Sequence, residues 1–145
     1  MNELGDLYQD LILDHARAPR NAGVIEQPTC LAHGDNPLCG DKIAVTVRVK
    51  DDVLEDVRFR GAGCAISTAS ASLMTEAVKG KSKAEADALF QKFHAMVTGG
   101  VSSDDLGKLE AFRNISEFPV RVKCASLAWH TLKAALERKA ATSTE

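Results

Sequence analysis

The chain reads as an α+β fold, a small antiparallel β-sheet of about three strands with four to five helices packed on it. Three observations carry that reading. Between Lys42 and Arg60, apolar residues alternate with polar ones on both sides of an Asp51-Asp52 turn, the pattern of a hairpin with one buried face. Before and after the hairpin, apolar residues recur at spacings of three and four, the pattern of amphipathic helices. The length of 145 residues and the apolar content of 45% provide one hydrophobic core. A chain of this size buries roughly two-thirds of its unfolded surface, so a single domain over residues 1–145 needs no disulfide or metal merely to stay folded.

Leu4, Leu7, Tyr8, Leu11, Ile12 and His15 paint one stripe on an opening helix, which Pro19 and Gly23 close. Pro28, Gly34 and Pro37 mark the stretch 20–37 as loop, with a short edge strand around Thr29–Ala32. Ile43, Val45, Val47 and Val49 then form the buried face of the first main strand, and Val57 and Phe59 continue it in the second. Gly61-Ala62-Gly63 ends the hairpin and allows a sharp change of direction before Cys64.

Ile66, Ala69, Leu73 and Ala77 share a face of the next helix, and the small residues between them let another element come close. Ser82-Lys83-Ala84-Glu85 fits a capping box, followed by the stripe Ala86, Leu89, Phe90, Phe93 and Val97. A short helix is expected over about Leu106–Phe112. Pro119 opens the last helix, lined by Val122, Ala125, Trp129, Leu132 and Leu136. Residues 140–145 are expected to be a disordered tail.

Eighteen basic residues against twenty acidic ones give a net charge of −2, which argues against a nucleic-acid-coating protein. The polar opening Met1–Asp10 does not look like a signal peptide, and no apolar run approaches membrane-spanning length. The expected location is therefore the cytoplasm, with no membrane and no nucleic-acid partner. The four cysteines, Cys30, Cys39, Cys64 and Cys124, then point to metal or thiol chemistry before disulfides.

Cys39-Gly40-Asp41 opens the first main strand, and a thiolate and a carboxylate so placed can face one side if Gly40 takes a glycine-type conformation. Cys64 stands before a helix, whose N-terminus would stabilise its thiolate. Pairing of the two strands brings Cys39, Asp41 and Cys64 to one sheet edge. The last helix can deliver Cys124 there through its small-residue face of Ala128, Thr131 and Ala135. Three thiolates and a carboxylate suit Zn²⁺, with the carboxylate as the weakest and most exchangeable ligand. There is no C-x-x-C pair, so spacing alone leaves open that these thiols are small buried apolar residues. Cys30, with no glycine or carboxylate neighbour, is expected to be such a bystander. Among the histidines, His15 and His94 read as helix-face or core residues, and His33 is the one placed to approach the site.

His15-Ala16-Arg17-Ala18-Pro19-Arg20-Asn21-Ala22-Gly23, Asn36-Pro37-Leu38-Cys39-Gly40-Asp41, Gly63-Cys64-Ala65-Ile66-Ser67 and Pro119-Val120-Arg121-Val122-Lys123-Cys124-Ala125 together resemble the U-type iron–sulfur assembly family, comprising IscU, SufU and the NifU N-terminal domain. The resemblance runs from the first helix to the last and is stronger for the SufU branch. Lys123 stands where IscU proteins carry a histidine, and Glu117-Phe118-Pro119-Val120-Arg121 replaces their Leu-Pro-Pro-Val-Lys chaperone motif. The stretch from about Thr98 to Ser116 is one that IscU proteins lack.

The resemblance implies a SufE/IscU-like fold and a zinc-dependent sulfurtransferase that accepts persulfide sulfur from a cysteine desulfurase of the SufS type. It implies zinc ligation by Cys39, Asp41, Cys64 and Cys124, with Cys39 as sulfur acceptor, Arg121 in partner docking, and downstream iron–sulfur assembly proteins as further partners. The alternative it carries is an IscU-like scaffold on which an Fe–S cluster is assembled and handed on.

Overall fold

A computed structural model of the chain describes residues 3–38, 40–101, 103–138 and 141–143. It is an α+β structure in which helices cover one face of a four-stranded sheet. The strands are β1 (Cys30–Asn36), β2 (Asp41–Lys50), β3 (Val53–Ala62) and β4 (Ala141–Ser143), in the order β3-β2-β1-β4. β2 pairs antiparallel with both neighbours, with Asn36 opposite Asp41 on one side and Lys42 opposite Ala62 on the other. Asp51 and Asp52 both have left-handed φ values, 52° and 65°, and close the expected hairpin with a turn whose twist matches its strands.

Two boundaries differ from the sequence reading. The edge strand expected over Thr29–Ala32 runs on to Asn36, because Gly34 and Asn36 keep the alternation of buried positions despite being poor strand formers. In the tail expected to be disordered, Ala141–Ser143 lies parallel to β1, and the sheet has four strands instead of three. On the opposite edge, Asn21 and Gly23 exchange backbone hydrogen bonds with Phe59, so a loop covers the outer side of β3.

The helices are α1 (Glu3–Arg17), α2 (Ala65–Val78), α3 (Lys83–Gly99) and α4 (Pro119–Leu136), with a 3₁₀ segment at Asp104–Glu117. α2 packs on β3 and α4 on β1 and β2, while α1, α3 and the 3₁₀ segment build on those two helices. The Ser82–Glu85 capping box is formed reciprocally at the start of α3. The helix expected at Leu106–Phe112 is instead a longer 3₁₀ run, broken at Gly107 (φ 52°, ψ −123°). Its buried residues Leu106, Leu109, Phe112 and Ile115 recur every three positions, which suits three residues per turn.

α4 is buried almost all round, with Trp129 stacked on Phe93 at 4.7 Å between ring centres. Its approach to the sheet depends on Gly34: a Cβ there would lie 2.0 Å from Thr131 Oγ1 and 3.2 Å from Leu127 Cδ1. That close contact is what brings the start of α4 to the end of β1.

Candidate metal centre

The first residue of β2, Asp41, is 1% exposed, because the pleat that sends Lys42 to solvent turns Asp41 toward the helices. At the far end of the hairpin, Cys64 is the N-cap of α2, with extended backbone at φ −70°, ψ 170°, and its Sγ accepts the Ser67 N–H at 3.4 Å. Asp41 bridges the two strands: Oδ1 accepts the Cys64 N–H at 2.9 Å, and Oδ2 stands 3.9 Å from Cys64 Sγ. Glycine at 63 leaves room for this contact, since a Cβ would sit tightly, 3.0 Å from Asp41 Oδ1 and 3.1 Å from Ser67 Oγ, and would push those side chains aside. Gly61 serves the same corner; a side chain there would meet the Lys42 carbonyl oxygen at 2.1 Å.

Cys124 arrives from the first turns of α4 and is 3% exposed, facing the same corner. The Asn36 Nδ2 donates to its Sγ at 3.6 Å. Ligand atoms of Asp41, Cys64 and Cys124 all lie within 4.8 Å of one another. Donors on one tetrahedral zinc stand about 3.3–3.8 Å apart for bonds of ~2.0–2.3 Å, so the set needs only a small closure to hold an ion. The chemistry also fits, with soft thiolates and one oxygen donor.

Three of the four ligand residues expected from sequence are thus brought together, and the fourth, Cys39, lies outside the described residues. Its neighbours are described: Leu38 is 62% exposed, and Gly40 has φ 72° with open space around it. Gly40 therefore takes the left-handed conformation that the sequence reading asked of it.

Cys30 is buried opposite Val47 in the core, far along β1 from the site, in keeping with a bystander. His33 does not join the cluster. It pairs with Ala44 on the solvent face of the sheet, whereas Asp41 faces the helices, so no rotation of the imidazole crosses the sheet. His15 is buried with Nδ1 2.6 Å from Ser72 Oγ, and His94 stacks on Phe90 and meets His130 edge-on. Burial pushes the His130 pKa below its ordinary value, and the neighbouring His94 and Lys133 add to the effect.

Arg121 is exposed beside the site, its guanidinium 4.8 Å from the centre of the Phe118 ring. Phe118 and Val120 are themselves about half exposed. An open groove of about 660 Å³ runs from there between α1, α2 and the 3₁₀ segment, with Tyr8, Ile12, Ile66, Arg113 and Arg121 among its walls. No described helix is long and apolar enough to cross a membrane.

Sequence reasoning missed Asn36, Gly34 and Ser67 as parts of the site. Each had a local signal: an asparagine just before Pro37, a glycine inside a strand, and a serine three residues after a helix-capping cysteine.

Residues 7–143 match the family model of the NifU-like N-terminal domain. The zinc-dependent sulfurtransferase SufU of Bacillus subtilis is 43% identical over 132 residues, covering 90% of this chain and 89% of the relative. The iron–sulfur cluster assembly scaffold protein IscU of Streptococcus pyogenes is 42% identical over 142 residues, covering 97% and 89%. A crystal structure of a candidate iron–sulfur cluster assembly scaffold protein for the SUF system, from Fervidobacterium islandicum AW-1, superposes with a TM-score of 0.84 at 35% identity. The match covers 88% of this chain and 94% of that one.

Proposed function

Because the chain belongs to the NifU-like N-terminal domain family, we propose that it works in iron–sulfur cluster assembly as a zinc-dependent sulfurtransferase supplied by a cysteine desulfurase. The observation that carries this reading is the convergence of Asp41, Cys64 and Cys124 at one corner of the sheet, beside the Leu38–Gly40 turn that contains Cys39. Zinc, when bound by Cys39, Asp41, Cys64 and Cys124, would keep the thiols deprotonated and shielded from oxidation.

The sulfur step belongs to Cys39. Its thiolate attacks the terminal sulfur of the donor enzyme's cysteine persulfide, forming a new S–S bond at Cys39. The donor's S–S bond breaks, and its electron pair leaves with the donor cysteine as a thiolate, so there is no net oxidation. The residues around the turn support that role. Leu38 and Gly40 face solvent, and Phe118, Val120 and Arg121 offer an apolar and cationic surface on which the donor can dock. Asp41 and Cys64 stay tied to each other through the Cys64 N–H, so the rest of the site keeps its shape while Cys39 reacts.

A second reading has its own support. The scaffold proteins named IscU from Streptococcus pyogenes and Thermotoga maritima are 42% and 39% identical, and three thiols with one carboxylate also suit an Fe–S cluster as cargo. Anaerobic purification followed by metal analysis separates the two: tightly held stoichiometric zinc supports the sulfurtransferase, and labile iron with a visible chromophore supports the scaffold. Desulfurase turnover is then measured with and without the protein. Stimulation by the wild type and none by Cys39→Ala is the expected result. A Cys39→Ala protein that stimulates turnover like wild type overturns the acceptor assignment.

A further inference from the structure

We propose that Asn36 is a positioning residue that clamps Cys124 in place as a permanent metal ligand through an N–H···S hydrogen bond. The inference rests on the metal-site reading above. Asn36 is fully buried at the end of β1, directly opposite Asp41 in the strand pair, so both side chains face the helices. Its Nδ2 donates to Cys124 Sγ at 3.6 Å, across 88 residues of sequence. Its Oδ1 is buried and meets no donor among the described residues.

An orphaned buried acceptor is destabilising, and an apolar side chain at this position would avoid it. The amide's presence is therefore accounted for by what its N–H does. Hydrogen bonding to a thiolate draws charge off the sulfur and fixes the direction of its lone pairs, which lowers its nucleophilicity and holds its rotamer. Cys64 also accepts an N–H, from Ser67 at 3.4 Å, but it is exposed at the mouth of the site, whereas Cys124 and its amide partner are both buried. The arrangement divides the labour among the thiols: Cys124 is held as an inert anchor, and sulfur chemistry is left to the solvent side.

The test uses the full chain loaded with Co²⁺ or Zn²⁺, comparing wild type with Asn36→Leu and Asn36→Asp, each checked by circular dichroism. Both variants remove the donor, one with an apolar side chain and one with an isosteric acceptor. We expect the thiolate-to-cobalt charge-transfer band to move to lower energy. Zinc release to a chelator should be about tenfold faster or more, the scale on which outer partners of metal ligands act. Cys124, labelled last by iodoacetamide in zinc-loaded wild type, should be labelled early in the variants. A folded variant with the wild-type band and release rate overturns the proposal.

One measurement avoids substitution altogether. In wild type loaded with NMR-active cadmium, the Asn36 side-chain amide should show coupling to the metal through the sulfur; an uncoupled amide exchanging freely with solvent overturns the clamp. A wild type that binds none of these metals overturns the metal reading and the clamp together. Metal binding that is indifferent to Asn36 overturns the clamp alone.

Discussion

Asp41 and Cys64 touch at two points: one carboxylate oxygen accepts the Cys64 N–H at 2.9 Å, and the other stands 3.9 Å from its sulfur. The first contact locks the end of β3 to the start of β2. The second leaves an oxygen facing the space between the thiols. One side chain thus both ties the corner together and points an oxygen donor into the space between the thiols.

Asp41→Asn separates those two roles. Its carbonyl oxygen still accepts the Cys64 N–H, while an amide nitrogen replaces the oxygen that faces the sulfur. The variant should fold like wild type and release zinc to a chelator at least about tenfold faster. Asp41→Ala should lose both, with weaker zinc retention and a lower Tm without metal. Equal zinc release from wild type and Asp41→Asn would remove the carboxylate from the ligand set.

Cys64→Ala and Cys124→Ala should differ little from wild type without metal, each costing about 1 kcal/mol: one loses a helix cap, the other leaves a small cavity. Added zinc should raise the Tm of wild type and of neither variant, since a ligand stabilises only the state that binds it. Thermal melts with and without zinc measure this, and a full zinc-induced shift in either variant counts against that ligand.

Gly34→Ala places a methyl group 2.0 Å from Thr131 Oγ1 and 3.2 Å from Leu127 Cδ1, so Thr131 must rotate out of its bond to the Leu127 carbonyl and α4 is pushed away from β1. Overpacking of this kind costs about 1–3 kcal/mol. Because Cys124 rides on α4, zinc affinity should fall along with stability. Adding Thr131→Ala should recover part of both. A Gly34→Ala protein with an unchanged Tm would show that the helix has room to spare.

Burial pushes the His15 pKa below the ordinary histidine value, and the Arg20 guanidinium adds to the effect. The unfolded chain then binds more protons than the folded one between that lowered pKa and about 6.5. Stability is complete above the unfolded pKa and is lost as pH falls through this window. The slope approaches about 1.4 kcal/mol per pH unit for each such histidine. His130 acts with the same sign. His15→Asn should give a less stable protein whose denaturation midpoint falls less steeply between about pH 7 and pH 5.5. An unchanged slope would mean that His15 is not the titrating group.

Arg121→Ala removes an exposed guanidinium resting on the Phe118 ring and touches no metal-site residue among the described contacts. Zinc content should match wild type and Tm should fall by no more than about 4 °C, since exposed cation–π contacts contribute about 0.5–1 kcal/mol. The apparent KM of a cysteine desulfurase for this protein should rise several-fold. Unaltered kinetics would remove Arg121 from the docking surface.

The hairpin, the capping box at Ser82 and the start of α4 at Pro119 were legible in sequence because each is set by local chemistry: alternation, a side-chain cap, a fixed φ. Convergence of Asp41 with Cys64 was legible too, since hairpin pairing alone places them together. β4 was not, because three small or polar residues carry no strand signal of their own and become a strand only against β1. The 3₁₀ run hid for a related reason: apolar residues at Leu106, Leu109, Phe112 and Ile115 fit a helix nearly as well, and the break at Gly107 is a matter of backbone angle. Asn36 could not be read as part of the site because its partner, Cys124, lies 88 residues away on an element whose docking depends on Gly34.

Exposure across the cluster is lopsided. Asp41 and Cys124 are sealed beneath the helices, while Cys64 opens to solvent. Among the described ligand residues the open side is therefore that of Cys64, and a partner docked there controls what reaches the cluster from that side. A protein laid over that rim would act as a stopper as well as a donor, so exchange at the site becomes a property of the complex and not of the chain alone.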